Sequence, residues 1–484
     1  MSELFNALSV EAAKHPTSVA LRDDTRSLSW SEMLDSVEVM ARSLSEFSGL
    51  TVGLLADNTI DWILVDLACL YSDITLIPIP VFFSESQRMH SLDESGAVAL
   101  ISPSDPSGCD ERLTDTLCII RLNHQRSAAI PESTAKVTFT SGSTGKPKGV
   151  CLSERNQLTV ARSILERTAL RQTRHLCVLP LATLLENVAG VYAPLLSGGE
   201  VIVLPMRQLG LSGSSEFDVQ ALVTAIDKTQ PQSLILLPAL LTALIVQVQR
   251  GWTPPASLQF IAVGGSRVGR GLLDAAEAVG IPVYEGYGLS ECSSVVSLNT
   301  RSEISTGTAG KPLSHSQIHL DDGEVVVSGN SFLGYVNDPE SWYREHVRTG
   351  DLGFIDDHGY LHILGRKKNL LISSFGRNIN PEWVESEVMA NPAIAQCVVL
   401  GDARPFLVAL ISPRHADVTD TTISAWLKQV NQTLPDYARI KDWLRLSEPL
   451  CASSGTMTAN GKPVRDRIEH LYNTRLDTLY KERA

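Results

Sequence analysis

Cysteine is scarce and scattered in this chain. Its eight cysteines stand at positions 69, 109, 118, 151, 177, 292, 397 and 451, never closer than nine positions apart. No C-x-x-C pair exists, which excludes zinc ribbons and thioredoxin-like redox motifs, and scattered thiols fit a reducing compartment. Long hydrophobic runs are lacking too. The longest strongly apolar stretch, 234–246, is broken by Pro238 and Thr242; it falls short of the ~18 residues of a membrane span and reads as a buried strand and helix. The opening residues, MSELF, lack a basic segment leading into an apolar core, so a cytoplasmic protein with no secretion signal and no transmembrane segment is expected. Positive charge is in deficit: 41 Lys+Arg stand against 54 Asp+Glu, a net charge of −13. That balance argues against nucleic acid or an anionic membrane surface as partner.

What is present is chain enough for several cores: 484 residues, 43% hydrophobic and 20% charged. Short apolar runs at 51–55, 76–80, 97–101, 200–204, 233–237, 259–263 and 281–284 alternate with helical stretches, among them 9–47 around Trp30 and 62–71. Such alternation argues for βα units and parallel sheets. After about residue 305 the texture changes to short strand-like pieces, 324–328 and 360–364, separated by Asp-rich turns. Beyond 365–368 (GRKK) a helix at 381–390, strands near 396–401 and 406–411, and helices to the end are expected. The fold class is therefore α/β. A large N-terminal domain, 1–366, is built of βα sheets with a small β-rich subdomain at about 305–366, and a small α+β C-terminal domain occupies 367–484.

The most informative segment is 137–150, VTFTSGSTGKPKGV. A β-prone run enters small hydroxylated residues and glycines that carry two lysines. Glycines allow close backbone approach, hydroxyls hydrogen-bond, and lysines neutralise charge, as a polyphosphate cradle requires. It is not a Walker loop: Gly145-Lys146 is followed by Pro147 rather than Ser or Thr. A flexible Gly/Ser linker is the rival reading, and the β-prone entry with the Lys-Pro-Lys-Gly ending disfavours it.

Residues 140–149 (TSGSTGKPKG) resemble the phosphate loop of the adenylate-forming superfamily, which comprises acyl-CoA synthetases, luciferases and peptide-synthetase adenylation domains. Further segments follow in that family's order. Gly264-Gly265-Ser266 resembles its adenine-binding turn, and 284–291 (YEGYGLSE) its YGxTE segment. Arg348-Thr349-Gly350-Asp351 resembles its TGD motif, 365–369 (GRKKN) its hinge, and 460–465 (NGKPVR) its NGKxxR motif. The resemblance covers essentially the whole chain and points to the acyl-CoA synthetase branch, nearest the long-chain fatty acid–CoA ligases.

The resemblance implies ATP, Mg2+ and coenzyme A as cofactors and co-substrate, and a role for each motif residue. Thr140, Ser141, Gly142, Ser143, Thr144, Gly145 and Lys148 would hold the β and γ phosphates. Gly264, Gly265 and Ser266 would offer backbone groups to the base, with Tyr287, followed by Gly288, stacking on adenine. Asp351 would accept from the ribose hydroxyls with Arg366 in support, and Ser290 would bind the α-phosphate. Glu291 and Thr140 would bind Mg2+, a hard cation that prefers oxygen. Lys462 would reach the substrate carboxylate and α-phosphate. The family then rotates its C-terminal domain about a hinge, here Lys368, and opens a thiol tunnel past a loop that 373–381 resembles, where Gly376 leaves room for the arm. Cys292 needs no role and reads as packing.

Residues 179–190 (LPLATLLENVAG) and 434–441 resemble segments of the fatty-acid branch, although Thr183 and Asn187 replace an expected histidine and arginine. Leu184, Leu185 and Val188 would line an apolar acyl pocket, or equally be plain core. The expected reaction is activation of a medium- or long-chain fatty acid to acyl-AMP and transfer to coenzyme A. The alternatives are loading of an acyl carrier protein's phosphopantetheine, an aryl-acid CoA ligase, or a non-catalytic nucleotide-binding relative.

Overall fold

A computed structural model describes residues 2–104, 109–123, 128–140, 147–212, 216–374, 377–458 and 461–482. The apolar runs of the N-terminal part become strands of two sheets. In the first, Val19–Arg22, Glu200–Val203, Arg174–Cys177, Ser233–Leu236, Phe260–Val263 and Val283–Leu289 lie parallel, and Ser27–Ser29, Ser294–Leu298 and Lys311–Pro312 extend it antiparallel. Every residue of Ser233–Leu236 is buried, as a strand covered on both faces must be. In the second, Lys136–Thr140, Thr75–Pro78, Thr51–Leu54 and Ala99–Pro103 are parallel neighbours. The antiparallel strands Lys148–Leu152, Gly334–Tyr335, Leu117–Arg121 and Glu111–Arg112 flank them.

One large core, with Trp30, Trp62 and Ile63 at its centre, joins the facing sides of both sheets through the nearly all-buried helix Ile60–Tyr71. Helices Val219–Thr229, Pro238–Gln249 and Arg270–Ala278 cover the first sheet's other face. Residues 317–366 form an antiparallel four-stranded sheet. In the C-terminal part, Ile394–Leu400, Leu407–Pro413 and Ile440–Arg445 make a three-stranded sheet. Helices Pro381–Met389 and Asp420–Thr433 pack on one face and Arg465–Glu482 on the other. Among the described residues no helix is long and apolar enough to cross a membrane.

Two expectations are corrected. The helical stretch 9–47 is two helices, Glu3–Lys14 and Trp30–Ser43, with the strands Val19–Arg22 and Ser27–Ser29 between them. The second helix begins at a capping box between Ser29 and Glu32, a start signal that apolar spacing alone passes over. The C-terminal stretch is likewise not helical throughout. Ile440–Arg445 is an edge strand, and its Lys441, Asp442 and Arg445 give it the charged sequence by which edges resist further pairing.

Candidate active site

Strands Lys136–Thr140 and Lys148–Leu152 form a hairpin in which Thr140 pairs with Lys148. Ser141, Gly142, Ser143, Thr144 and Gly145 lie outside the described residues, so the hairpin fixes the two ends of the loop. Gly149 is required in it: a Cβ there would lie 2.8 Å from Val336 and 2.9 Å from Val137. The close approach seats Gly334–Tyr335 beside the hairpin. The exposed Lys148 ammonium consequently lies 4.9 Å from the centroid of the Tyr335 ring. Tyr335 donates its hydroxyl proton to Glu291 Oε1 at 2.9 Å, and burial followed by the Glu291 charge pushes that hydroxyl's pKa up. Tyr335 thus joins Lys148 to Glu291. No sequence motif marked it; only the strand pairing brings it there.

Ser290 and Glu291 sit in a one-turn helix, Ser290–Cys292, at the tip where Val283–Leu289 reverses into Ser294–Leu298. Gly288 is the residue that permits the reversal, since a Cβ there would overlap the Ser294 carbonyl oxygen. Cys292 is buried against the core, its thiol pushed up by burial and by the Glu291 charge, which leaves it inert as a nucleophile.

Tyr287, Asp351 and Arg366 come together. Tyr287 donates to Asp351 Oδ2 at 2.6 Å, and Arg366 Nε lies 2.8 Å from Asp351 Oδ1. The pairing of Asp351 with Arg366 across antiparallel strands sets this geometry. Burial pushes the Asp351 carboxyl up, and Arg366, the Tyr287 hydroxyl and Lys462 oppose the rise. Lys462 belongs to the other end of the chain, yet its charge reaches Asp351. It also helps hold the Lys368 ammonium down, after burial and Arg366. The Lys462 side chain is exposed, on a turn closed by Thr458 N–H donating to the Lys462 carbonyl at 2.7 Å. The motif's last residue, Arg465, pairs with buried Glu385 and ties this turn to helix Pro381–Met389. Gly376 lies outside the described residues.

Gly264, Gly265 and Ser266 follow strand Phe260–Val263, Gly265 with φ +78° and Ser266 exposed. Arg267 next to them donates to the Ile363 carbonyl at 2.9 Å. Glu285 lies near, and burial pushes its carboxyl up to about 8 despite the Arg267 charge and the Val268 N–H. Sequence reading passed over Glu285, because burial rather than residue type makes it unusual.

Of the three acyl-pocket residues only Leu185 lines a cavity. Leu184 and Val188 are buried in the large core. The cavity, about 50 Å³, is also lined by Ala189, Ala262, Phe260, His175 and Ser233. Asn187, in the arginine's place, is buried: it donates to Asp66 Oδ2 at 2.9 Å and accepts from Lys136.

The AMP-binding enzyme family matches residues 8–336, and the AMP-binding enzyme C-terminal domain matches 368–484. The chain belongs to the AMP-binding enzyme family. It is an enzyme of the AMP-forming acid–thiol ligase type that this family comprises. A 2-succinylbenzoate–CoA ligase of Bacillus subtilis is 28% identical over 432 residues, 83% of this chain and 85% of that protein. Long-chain-fatty-acid–CoA ligase FadD15 of Mycobacterium bovis is 26% identical over 536 aligned positions, 91% of this chain and 89% of its own. Among solved structures, the anthranilate CoA ligase AuaEII in complex with anthranoyl-AMP superposes with a TM-score of 0.81 at 17% identity, covering 97% of this chain and 96% of that one. The family's two-part α/β fold is the one described above.

Proposed function

We propose that this enzyme activates a carboxylic acid with ATP to an acyl-adenylate, releasing pyrophosphate, and then passes the acyl group to the thiol of coenzyme A, releasing AMP. The observation that carries the reading is the Tyr287–Asp351–Arg366 cluster within reach of the Lys462 charge. A carboxylate suited to ribose hydroxyls thereby stands near an ammonium suited to a substrate carboxylate and phosphate. A free carboxylate is a poor electrophile, and attaching AMP gives it a good leaving group.

In this reading Asp351 takes the ribose hydroxyls and Arg366 steadies it. Tyr287 lies against adenine, and Gly264, Gly265 and Ser266 present backbone groups to the base. Lys148 and the 140–145 loop hold the β and γ phosphates, and Ser290 holds the α. Lys462 stabilises the negative charge that grows as the carboxylate oxygen attacks phosphorus. Glu291 and Thr140 suit a magnesium ion: both are hard oxygen donors, and no described residue donates a hydrogen bond to Glu291 Oε2. Such an ion would neutralise phosphate charge.

For thiol transfer, residues 1–366 and 367–484 act as two units hinged at Lys368, with Gly376 on the tunnel. The separate cores on the two sides of the hinge support this division. A coenzyme A thiol, with a pKa near ~8.5, needs little help to ionise. A cytoplasmic location fits the same substrates.

For the acid, segments 179–190 and 434–441 and the similarity to FadD15 support a medium- or long-chain aliphatic acid. A second reading, an aryl acid, is supported by the 2-succinylbenzoate ligases and by the cavity's small size. About 50 Å³ is a third of the about 150 Å³ that holds benzene, so it takes the end of an acid and not a long tail. The test is acid-dependent nucleotide turnover with Mg2+, with coenzyme A and then with a phosphopantetheinylated carrier. AMP and pyrophosphate are expected, with thioester on coenzyme A. ADP and phosphate as products would overturn adenylation, and transfer to the carrier alone would overturn the acceptor.

A further inference from the structure

The cavity beside the 186–192 helix is lined mostly by apolar residues, with Thr168, Thr173, His175 and Ser233 as its polar ones. His175 and Ser233 face it, both almost fully buried, at 2% and 5% exposed. They are register partners on adjacent parallel strands, and His175 Nδ1 lies 2.9 Å from Ser233 Oγ. On its other side His175 Nε2 lies 2.9 Å from Glu186 Oε1. Glu186 is completely buried and also accepts the Leu179 N–H at 2.8 Å. Gly190 makes room for this trio, since a Cβ there would overlap the Glu186 carboxylate and lie 2.7 Å from His175 Nε2. Residues Glu186–Tyr192 run as a π-helix, a wide turn that recurs at functional sites. It carries Glu186 to the trio and Ala189 to the cavity wall.

The position of this wall relative to the nucleotide turn gives it meaning. Ala262 and Phe260 line the cavity from the strand that ends in Gly264 and Gly265. The two cavity-facing positions, Ala262 and then Phe260, therefore lead away from the turn into the sheet, and Ser233 pairs with Phe260 at the deep end. Four residues at ~3.3 Å each set that end roughly 13 Å from Gly264. An acid whose carboxylate meets the nucleotide near the turn points its far end at Ser233 and His175.

Resting on the acyl-adenylation reading above, we propose that the His175–Ser233 pair is a specificity site that takes a neutral oxygen substituent, a hydroxyl or a carbonyl, on the distal end of the acid. A wall built only to close the cavity is best apolar, because buried polar groups cost free energy unless hydrogen-bonded. Here Glu186 holds one ring nitrogen, and Ser233 presents the other's hydrogen bond to the cavity. Its hydroxyl can accept from a substrate hydroxyl or donate to a carbonyl, as the ring's proton allows. A second carboxylate is excluded. The single charge His175 can carry is already answered by Glu186, so a further anion would be buried without compensation. The same trio, with Cys177 beside it, has the residue types of a metal site. Glu186 is already occupied by His175 and Leu179, however, and Cys177 Sγ is turned to the Gly190 carbonyl.

The test compares kcat/KM for pyrophosphate release across matched acids: a saturated or aryl parent, its distal hydroxy and oxo derivatives, and its dicarboxylate. In the wild-type enzyme a hydroxy or oxo acid should exceed its parent by about tenfold, the scale of one neutral hydrogen bond. Ser233→Ala should bring that ratio, taken within the variant against its own parent acid, close to one. Ala189→Leu, which narrows the cavity without touching the trio, should lower kcat/KM for the longest acids and spare the shortest. Calorimetry of the free acids should give the same ratios without turnover. Equal ratios in wild type and Ser233→Ala, or a preference for the dicarboxylate, would overturn the proposal even if AMP is the product. Discrimination at Ser233 with ADP as product would uphold the site and sink adenylation instead.

Discussion

Two aspartates of this enzyme have nearly the same partners and opposite surroundings. Asp351 accepts from the Tyr287 hydroxyl at 2.6 Å and pairs with Arg366 at 2.8 Å. Asp66 accepts from the Tyr192 hydroxyl at 2.6 Å and pairs with Lys136 at 2.7 Å. The Arg366 side chain is 37% exposed, whereas Lys136 and Asp66 are sealed at 1% and 0%. Asn187 completes the inner cluster by donating to Asp66 and accepting from Lys136. A carboxylate whose cation partner reaches solvent can exchange that partner for a ligand. One with every side closed can only hold elements together, and here Asp66 joins helix Ile60–Tyr71, strand Lys136–Thr140 and the 186–192 helix. The strand it steadies is the one that leads into the segment proposed to hold the phosphates.

The largest effect should come from breaking the sealed pair. Lys136→Met leaves the buried Asp66 without its cation, held only by the Tyr192 and Asn187 hydrogen bonds, and should lower unfolding free energy by about 3–5 kcal/mol in urea titrations. Replacing both partners by apolar residues should cost less. Arg366→Ala, at the open pair, should leave the urea midpoint near wild type and raise KM for ATP. If Arg366→Ala destabilises as much as Lys136→Met, exposure does not separate the two clusters.

Next in size is Lys462→Ala, which removes the charge that reaches the open cluster. It should slow adenylation by roughly 10²–10³-fold, while transfer from pre-formed acyl-adenylate to coenzyme A survives. Equal loss in both half-reactions would make the lysine a support for folding. Lys368→Pro, which fixes φ near about −65°, should show the reverse pattern in the same assays, with adenylation kept and thioester formation reduced. Wild-type rates in both would move the hinge elsewhere.

A pH-dependent effect concerns a third carboxylate, Glu285, near Arg267 but in no ion pair with it among the described residues. Burial raises it from 4.5 to about 8, so the folded chain keeps a proton that the unfolded chain releases. Its contribution to stability is therefore complete below pH 4.5, declines as pH rises to about 8, and is flat above. Glu285→Gln should remove that slope from melting temperatures measured across the window. An unchanged slope would mean that Glu285 titrates as an ordinary surface acid.

The motifs named Tyr287, Asp351 and Arg366 from sequence, and the three side chains meet in the structure. Tyr335 was illegible because it joins Lys148 and Glu291 through a two-residue strand with no pattern of its own. Asn187 was visible only as a departure from a family motif. That it faces Lys136 and Asp66 depends on the π-helical turn of 186–192, which residue spacing does not announce. The strands Ser27–Ser29 and Ile440–Arg445 escaped for a similar reason, since short edge strands carry little apolar periodicity.

By itself, then, the order of short motifs determined the family and the chemistry, and the rhythm of apolar runs determined the α/β class. Both are local properties, legible wherever a few neighbouring residues must do one job. Tertiary structure alone decided which of two like-paired aspartates has a cation partner that reaches solvent, that Leu185 borders a cavity, and that His175 and Ser233 share its wall. Those outcomes depend on what packs against each side chain from residues far away in the chain, and burial of that kind has no signature in the segment that suffers it.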